Sequence, residues 1–256
     1  MPSILSKARG TMTNVMNRFR LLKNSLGSRP QRPRPVLSTI GLPVPADFAS
    51  VSYESVNRRL SAKNDSHPDP WAHYAGAWNA VAYRFISCTQ HDELFTRSVE
   101  RHGCSPQSPE RFIQEKELFG FFVTGLSSLE SFCYAAYAIA AMVDALNFPL
   151  SRPRDIIPEK TSATFSNTFP AEPLTVALNK LVNDHSFSDW KDVRNILAHR
   201  TAPARKFHRG GPEDGLAQWL NDIPIDTATT ASRRTWLAGT MRGLLDAAAV
   251  FAASHL

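Results

Sequence analysis

The feature that most constrains the fold is a run of 13 residues without a charged side chain, Ser131–Val143, between Glu130 and Asp144. A membrane-spanning helix needs about 20 such residues, so the run predicts no membrane span. It is apolar on nearly every side, and a helix of that kind belongs at the centre of a bundle. We therefore expect a long central helix from Ser108 to about Leu146.

The rest of the chain shows helical periodicity and no strand-like alternation. Five places carry helix start signals: Asp69-Pro70, Ser108-Pro109, Pro173, Ser186 or Ser188, and Thr229 or Thr230. We expect the segment after Asp69 to form two helices, the second from about His91 to His102, and residues 161–170 to be irregular. The predicted fold is all-α, a four-helix bundle with an extra N-terminal helical pair.

The charge of the chain is unevenly distributed and suggests three regions. Residues 1–46 hold eight Lys and Arg and no Asp or Glu, although the net charge of the whole chain is only +6. Residues 1–50 are predicted to be a basic, Pro-rich, disordered arm. Two alternatives are an arm that contacts nucleic acid or an anionic surface, and an organellar transit peptide. Residues 51–107 are predicted to be a helical extension, and residues 108–256 the bundle.

The cysteines and the missing motifs exclude several classes of protein. Cys88, Cys104 and Cys133 are odd in number and lack metal-ligand spacing. This argues against a disulfide framework and favours a reducing, cytoplasmic location. The sequence contains no Gly-rich phosphate loop, no paired-His zinc motif and no nucleophile-elbow serine. We therefore predict neither a metal nor a cofactor.

One segment, Trp190–Arg200, is the candidate for chemistry. On a helix its apolar and polar residues separate onto two faces. The apolar face carries Trp190, Val193 and Leu197, and the polar face carries Asp192, Asn195 and His199. Arg194 lies about 140° around the helix from His199. A second copy of the helix, related by a two-fold axis, would place two Arg and two His around one cleft.

The same region is strongly basic. Residues 191–209 carry six cations against one acid, Asp192, on a body that is otherwise acidic. Such a strip suggests an anionic ligand, with phosphate as the obvious candidate. We expect RNA or phosphate to contact Arg200, Arg205, Lys206 and Arg209. The alternative is a set of solvated side chains after a helix C-terminus, where cations are favoured in any case.

The phrase RNILAHR, residues 194–200, resembles the Arg-x4-His signature of the HEPN superfamily. A second match, Arg97 to His102, ends against Gly103 in an earlier segment, whereas Arg194 and His199 lie on the penultimate predicted helix. The segment LESFCYAAYAIAA also resembles the core helix of that family. The resemblance covers residues 108–255. HEPN domains are helical bundles, often dimeric, and many are metal-independent ribonucleases.

The resemblance implies roles for five residues. His199 would act as general acid and base, and Arg194 would hold the phosphate. Asn195 would orient His199 or contact RNA, and Asp192 would tune the imidazole. Glu130 would support Arg194 or His199; the alternatives for Glu130 are a partly exposed residue at the helix edge and a structural ion pair. The products would be a 2′,3′-cyclic phosphate and a 5′-hydroxyl.

The expected function is therefore a homodimeric endoribonuclease with a defence, toxin or stress role. Its partners would be RNA and an antitoxin or regulatory protein. One alternative is a non-catalytic HEPN-like module that binds nucleotide, RNA or another protein through the same strip. The other is an unrelated helical scaffold in which the Arg and His coincide by chance.

Overall fold

The computed structural model describes residues 43–199, 205–207, 217–219 and 223–256. Within these ranges it contains seven α-helices, one short 3₁₀-helix at Pro153–Asp155 and three short strands. The helices are α1 (Ser50–Ser61), α2 (Pro68–His102), α3 (Ser108–Val143), α4 (Pro158–Thr168), α5 (Pro173–Val182), α6 (His185–His199) and α7 (Thr227–His255). The strands are β1 (Lys206–Phe207), β2 (Ala217–Trp219) and β3 (Ile223–Pro224). The predicted all-helical class is confirmed.

Five helices, α2, α3, α5, α6 and α7, begin within two residues of a predicted start signal, whereas α1 and α4 begin where no signal was predicted. Helices α2, α3 and α5 each have a proline in their first two positions, where its missing N–H costs nothing. Helix α7 begins at Thr227, and the side chain of Asp226 accepts a hydrogen bond from the backbone N–H of Thr229 at 2.7 Å. This cap satisfies one of the N–H groups that a helix start leaves unpaired.

Helix α3 is the central element, as the uncharged run predicts. Every residue from Leu126 to Met142 is buried except Ser127, Glu130 and Tyr134. Among the described residues, α3 is the one helix long and apolar enough to resemble a membrane span, and 78% of its most apolar window is buried inside the protein. The core helix of a globular protein has this combination of composition and burial.

Helix α2 is a single helix of 35 residues that packs along α3. The prediction of two helices between Asp69 and His102 is therefore wrong. A buried stripe that steps by three and four residues runs without interruption from Trp71 to Val99, so the helix has a continuous face to bury. It ends at Gly103, whose φ of 70° is the left-handed conformation that glycine adopts readily.

Two further expectations about local structure are wrong. Residues 158–168 form α4, because Thr161, Ser162 and Phe165 lie on one buried face despite the polar composition of the segment. After α6, the strands form a small antiparallel sheet in the order β1-β2-β3. Lys206 pairs with Gln218 in its register, and Trp219 is buried against Phe122.

The N-terminal boundary of the folded body lies earlier than predicted. Residues 1–42 of the proposed arm lie outside the described residues. Residues 43–49, however, lie on the body: Phe48 is buried, with its ring 5.1 Å from that of Phe85. Asp47 forms an ion pair of 3.0 Å with Arg234 of α7. The hydrophobic core is shared by helices on both sides of residue 107.

Gly125 in α3 makes room for α6, which leads to a test. A Cβ atom at Gly125 would lie 2.5 Å from Cη2 of Trp190, whereas a Cβ at Gly243 in α7 would meet nothing within 4 Å. Gly125→Ala should lower the free energy of unfolding by about 1–3 kcal/mol through overpacking. Gly243→Ala should raise it by up to about 1 kcal/mol through helix propensity. Urea unfolding followed by circular dichroism measures both, and equal stability of the two variants would refute the close packing.

Candidate functional site

Helix α6 is fixed to α3 by one tryptophan. Trp190 is 1% exposed, and its ring lies edge-on to those of Phe121 and Trp236 at 5.4 and 5.7 Å between centroids. Val193 and Leu197 are also buried, so the predicted apolar face of the helix is confirmed. Because this face packs against the core, it sets the direction in which the other described side chains of α6 leave the helix.

Arg194 lies one turn after Trp190 and reaches across to α3. Its Nη2 atom donates a hydrogen bond to Oε1 of Glu130 in an ion pair. The Arg194 side chain is only 20% exposed, and its Nε atom is buried without a hydrogen-bond partner in the described part of the chain. The contact between Glu130 and Arg194 is thus present, and it occupies the guanidinium at a partly exposed position.

Further charged groups surround this pair. Arg84 of α2 donates to the carbonyl oxygen of Ser127 at 3.1 Å and to the hydroxyl of Ser131, next to Glu130 in sequence. Lys191 of α6 forms a hydrogen-bonded ion pair with Glu159 of α4. We call Arg84, Glu130, Glu159, Lys191 and Arg194 the Arg194 cluster. It joins four helices and contains three cations and two carboxylates.

The two carboxyl groups of the cluster respond differently to their surroundings. Burial raises the pKa of Glu130, and the opposing charges of Arg194, Arg84 and Lys191 do not fully reverse that rise. Burial also acts to raise the pKa of Glu159, but the hydrogen bond and charge of Lys191 lower it overall. Glu130 is therefore the carboxylate held less firmly in its charged form. Perturbed carboxyl pKa values occur at functional sites and also in structural ion-pair networks.

The structure places the other predicted residues of the segment as follows. Asp192 is exposed and Asn195 is half-buried on α6. His199 is the last residue of α6, and its side chain lies outside the described residues, as do Arg200 and Arg209. Lys206 is exposed on β1. The roles assigned to these residues stay predictions.

Arg205 is a correction to the predicted phosphate contacts. Its side chain is 1% exposed, and its Nε atom lies 3.3 Å from Oε1 of Glu115. Its Nη1 atom donates to the carbonyl oxygen of Cys104 at 3.0 Å and to Oε1 of Gln114 at 3.1 Å. These partners tie the chain after α6 to the connection between α2 and α3. A buried guanidinium with this set of acceptors is structural and is not open to RNA.

Two histidines of α2 join it to α3. Nδ1 of His73 lies 2.6 Å from the hydroxyl of Tyr134, and Nδ1 of His91 lies 2.6 Å from Oε2 of Glu117. The His91 ring rests on Gly120, where a Cβ would come within 2.4 Å of it. The imidazole rings of His73 and His91 therefore both contact side chains of α3.

Sequence reasoning missed three members of the cluster as site residues. Lys191 carried a signal, because it precedes Arg194 by three residues and so lies on a neighbouring position of the same helix. Arg84 and Glu159 carried none, since each belongs to a different helix and only the packing brings them close.

Comparison with known proteins adds no assignment: the chain matches no family model, no curated protein and no solved structure. Within the described ranges, no three His, Cys, Asp or Glu side chains come together as a metal site would require.

Proposed function

We propose that this protein is a metal-independent endoribonuclease of the HEPN type, with Arg194 and His199 at its centre. The observation that carries the proposal is the placement of Arg194. Trp190 anchors α6 in the core, and Glu130 of α3 binds the guanidinium of Arg194 at a partly exposed position. His199 follows five residues later on the same helix. A positioned guanidinium and an imidazole on one helix suit reaction at a phosphodiester.

The reaction needs few catalytic groups from the protein, because RNA supplies its own nucleophile, the 2′-hydroxyl next to the scissile phosphate. His199 takes the proton from this hydroxyl or delivers one to the departing 5′-oxygen. Arg194 binds the phosphate and offsets the negative charge that develops on it. The bond from phosphorus to the 5′-oxygen breaks as the bond to the 2′-oxygen forms. The products are a 2′,3′-cyclic phosphate and a 5′-hydroxyl.

In the absence of RNA, Glu130 forms an ion pair with Arg194, and a phosphate can replace Glu130 as the partner of the guanidinium. The carboxylate holds the guanidinium in one direction, and its raised pKa reflects a charge that burial disfavours. A phosphodiester that approaches Arg194 competes with Glu130 for the N–H groups of the partly exposed guanidinium. Lys191 and Arg84 add positive charge close by, which strengthens the attraction for a polyanion.

The proposal extends to partners and role. A second copy of the chain would bring a second pair of Arg194 and His199 to the substrate. An antitoxin or other regulatory protein would restrain the activity in a defence, toxin or stress response in the cytoplasm. These statements rest on the resemblance of RNILAHR to the HEPN signature.

The decisive experiment offers the full chain a single-stranded RNA in EDTA. We expect cleavage with products that carry a 2′,3′-cyclic phosphate. A matched RNA with 2′-O-methyl groups at every position lacks the nucleophile and should remain intact. Absence of cleavage of the unmodified RNA, or equal cleavage of both substrates, would refute the mechanism.

The second candidate is a non-catalytic module that binds RNA or nucleotide through the same cluster. The ion pair that already occupies Arg194 favours it, because a guanidinium engaged by Glu130 serves binding as readily as catalysis. This function predicts RNA binding without cleavage, with an affinity that falls as salt rises. Fluorescence anisotropy at two salt concentrations, run beside the cleavage assay, separates the two functions.

A further inference from the structure

A cavity of about 220 Å³ lies between the start of α6 and the first three turns of α7. Its volume is below the range of about 300–1,000 Å³ that is usual for pockets that hold drug-sized ligands, so its occupant would be a small molecule. None of the lining residues belongs to the Arg194 cluster, so the inference is independent of the proposed activity. The cavity is lined by Ser186, Asp189 and Trp190 of α6 and by Ser232, Arg233 and Trp236 of α7.

Arg233 brings a positive charge to the wall of this cavity. Its Nη1 atom donates a hydrogen bond to the carbonyl oxygen of Thr229 at 3.2 Å, and its Cζ atom lies 5.7 Å from the centre of the buried Phe122 ring. Burial lowers the pKa of Arg233, and the negative charges of Asp189 and Asp226 reverse this effect only in part. Within the described ranges Arg233 forms no ion pair. A partly buried guanidinium in this position would be stabilised by an anionic partner.

Asp189 brings a negative charge to the same cavity. Its side chain is 54% exposed, and its Oδ1 atom lies 3.3 Å from Nδ1 of the exposed His185. Asp226 is used elsewhere, because it caps α7 by accepting a hydrogen bond from the backbone N–H of Thr229. Asp189 and Arg233 both belong to the described part of the chain, and they line one cavity without forming an ion pair with each other. The cavity therefore holds one cation and one anion that are not in contact.

Two indole rings and two hydroxyl groups complete the walls. The rings of Trp190 and Trp236 are edge-on, with 5.7 Å between their centroids. Trp236 is held in place by a hydrogen bond of 3.1 Å from its Nε1 atom to Oδ2 of Asp184. Indole rings attract apolar groups and also organic cations such as ammonium. The hydroxyls of Ser186 and Ser232 lie at exposed positions and can donate hydrogen bonds to an anion.

Few classes of ligand satisfy both charges of this cavity. A phosphate group would be repelled by Asp189, and a metal cation would be repelled by Arg233. A neutral ligand would displace water from both charged groups and offer neither of them an opposite charge. A small zwitterion offers a partner to each.

We infer that this cavity binds a free α-amino acid. The carboxylate of the ligand accepts hydrogen bonds from Arg233, and its ammonium group lies beside Asp189 and the indole of Trp236. Both charged groups of an amino acid are attached to one carbon atom, so a molecule small enough for the cavity reaches both walls. The side chain of the ligand packs against the indole rings.

The first test uses the unaltered full chain and modified ligands. Each proteinogenic L-amino acid is titrated in turn by isothermal titration calorimetry, and we expect saturable binding of at least one. The N-acetyl derivative of that amino acid lacks the ammonium group, and its amide lacks the carboxylate. Each derivative should bind about tenfold more weakly or worse, because one charged partner in the cavity is left unpaired. Binding of no amino acid, or equal binding of a derivative, overturns the inference.

The second test changes the two charged residues. Arg233→Gln should raise the dissociation constant of the amino acid about tenfold or more. Asp189→Asn should raise it by a smaller factor, because water screens this exposed carboxylate. Arg242→Gln and Asp65→Asn, at exposed positions outside the cavity, are the matched controls and should leave it unchanged. Thermal unfolding without ligand verifies that each variant is folded.

The amide separates a direct contact from a general effect of Arg233→Gln. The amide has no carboxylate for Arg233 to bind, so this variant should weaken the amino acid and not the amide. Equal weakening of both ligands, or an unchanged dissociation constant in Arg233→Gln or Asp189→Asn, would rule out the assigned contacts. No measurement in either test uses RNA, so failure of this inference and failure of the proposed activity are separate results.

Discussion

Replacement of either His199 or Arg194 by alanine is expected to reduce RNA cleavage by about 10²–10⁴-fold. Loss of the imidazole removes the group that moves the proton. Loss of the guanidinium removes the donor that offsets charge on the phosphate in the transition state. Initial rates on a single-stranded RNA in EDTA measure the effect, and circular dichroism verifies that each variant is folded.

Two variants serve as matched controls for this prediction. His185→Ala removes an exposed histidine from the first position of the same helix, and Arg242→Ala removes an exposed arginine from α7. Both should cleave at the rate of the unaltered chain. Arg194→Lys keeps the charge but loses the planar, forked donor set, so it should remain well below that rate. Full activity in His199→Ala would eliminate the proposed mechanism.

The largest loss of stability is expected for Trp190→Ala, about 3–5 kcal/mol in the free energy of unfolding. The indole fills the space between α3 and α7, where Phe121, Gly125 and Trp236 surround it. Deleting it leaves a cavity that the rigid neighbouring rings cannot close. Urea unfolding measures the change.

The same variant links stability to the site, because Trp190 sets the direction of Arg194. We expect Trp190→Ala to lose RNA cleavage or binding at temperatures where it is still folded. Phe112→Ala, which removes an exposed aromatic residue of α3, is the control and should change stability by no more than about 0.5 kcal/mol. A Trp190→Ala variant as stable as this control would contradict the packing described for α6.

The core helix and the helix starts were predictable from local features. The uncharged run after Glu130 is most stable as a helix that is surrounded by other helices, and in the structure this run forms part of the buried helix α3. Prolines marked the starts of α2, α3 and α5 for steric reasons that hold in any fold. The segment from Pro158 to Thr168 escaped prediction because its buried face is largely hydroxyl-bearing, and those groups need tertiary partners such as Asn179.

The site was predictable only in part. The two faces of α6 follow from its sequence, and so did the possibility that Glu130 meets Arg194. Arg205 was misjudged because its charge suggested a ligand, whereas burial beside Glu115 makes it structural. Such a difference cannot be read from one residue, since it depends on an acid that lies 90 positions away.

The sequence by itself determined that the chain is helical, that α3 is central and that α6 presents one polar face. These properties depend on spacing along a single helix, where geometry is fixed by the backbone. Only the tertiary structure decided which charged side chains lie close enough to form ion pairs. Arg84, Glu130, Glu159, Lys191 and Arg194 come from four helices, and an ion pair forms only where packing brings two side chains within a few ångströms and keeps water from screening them.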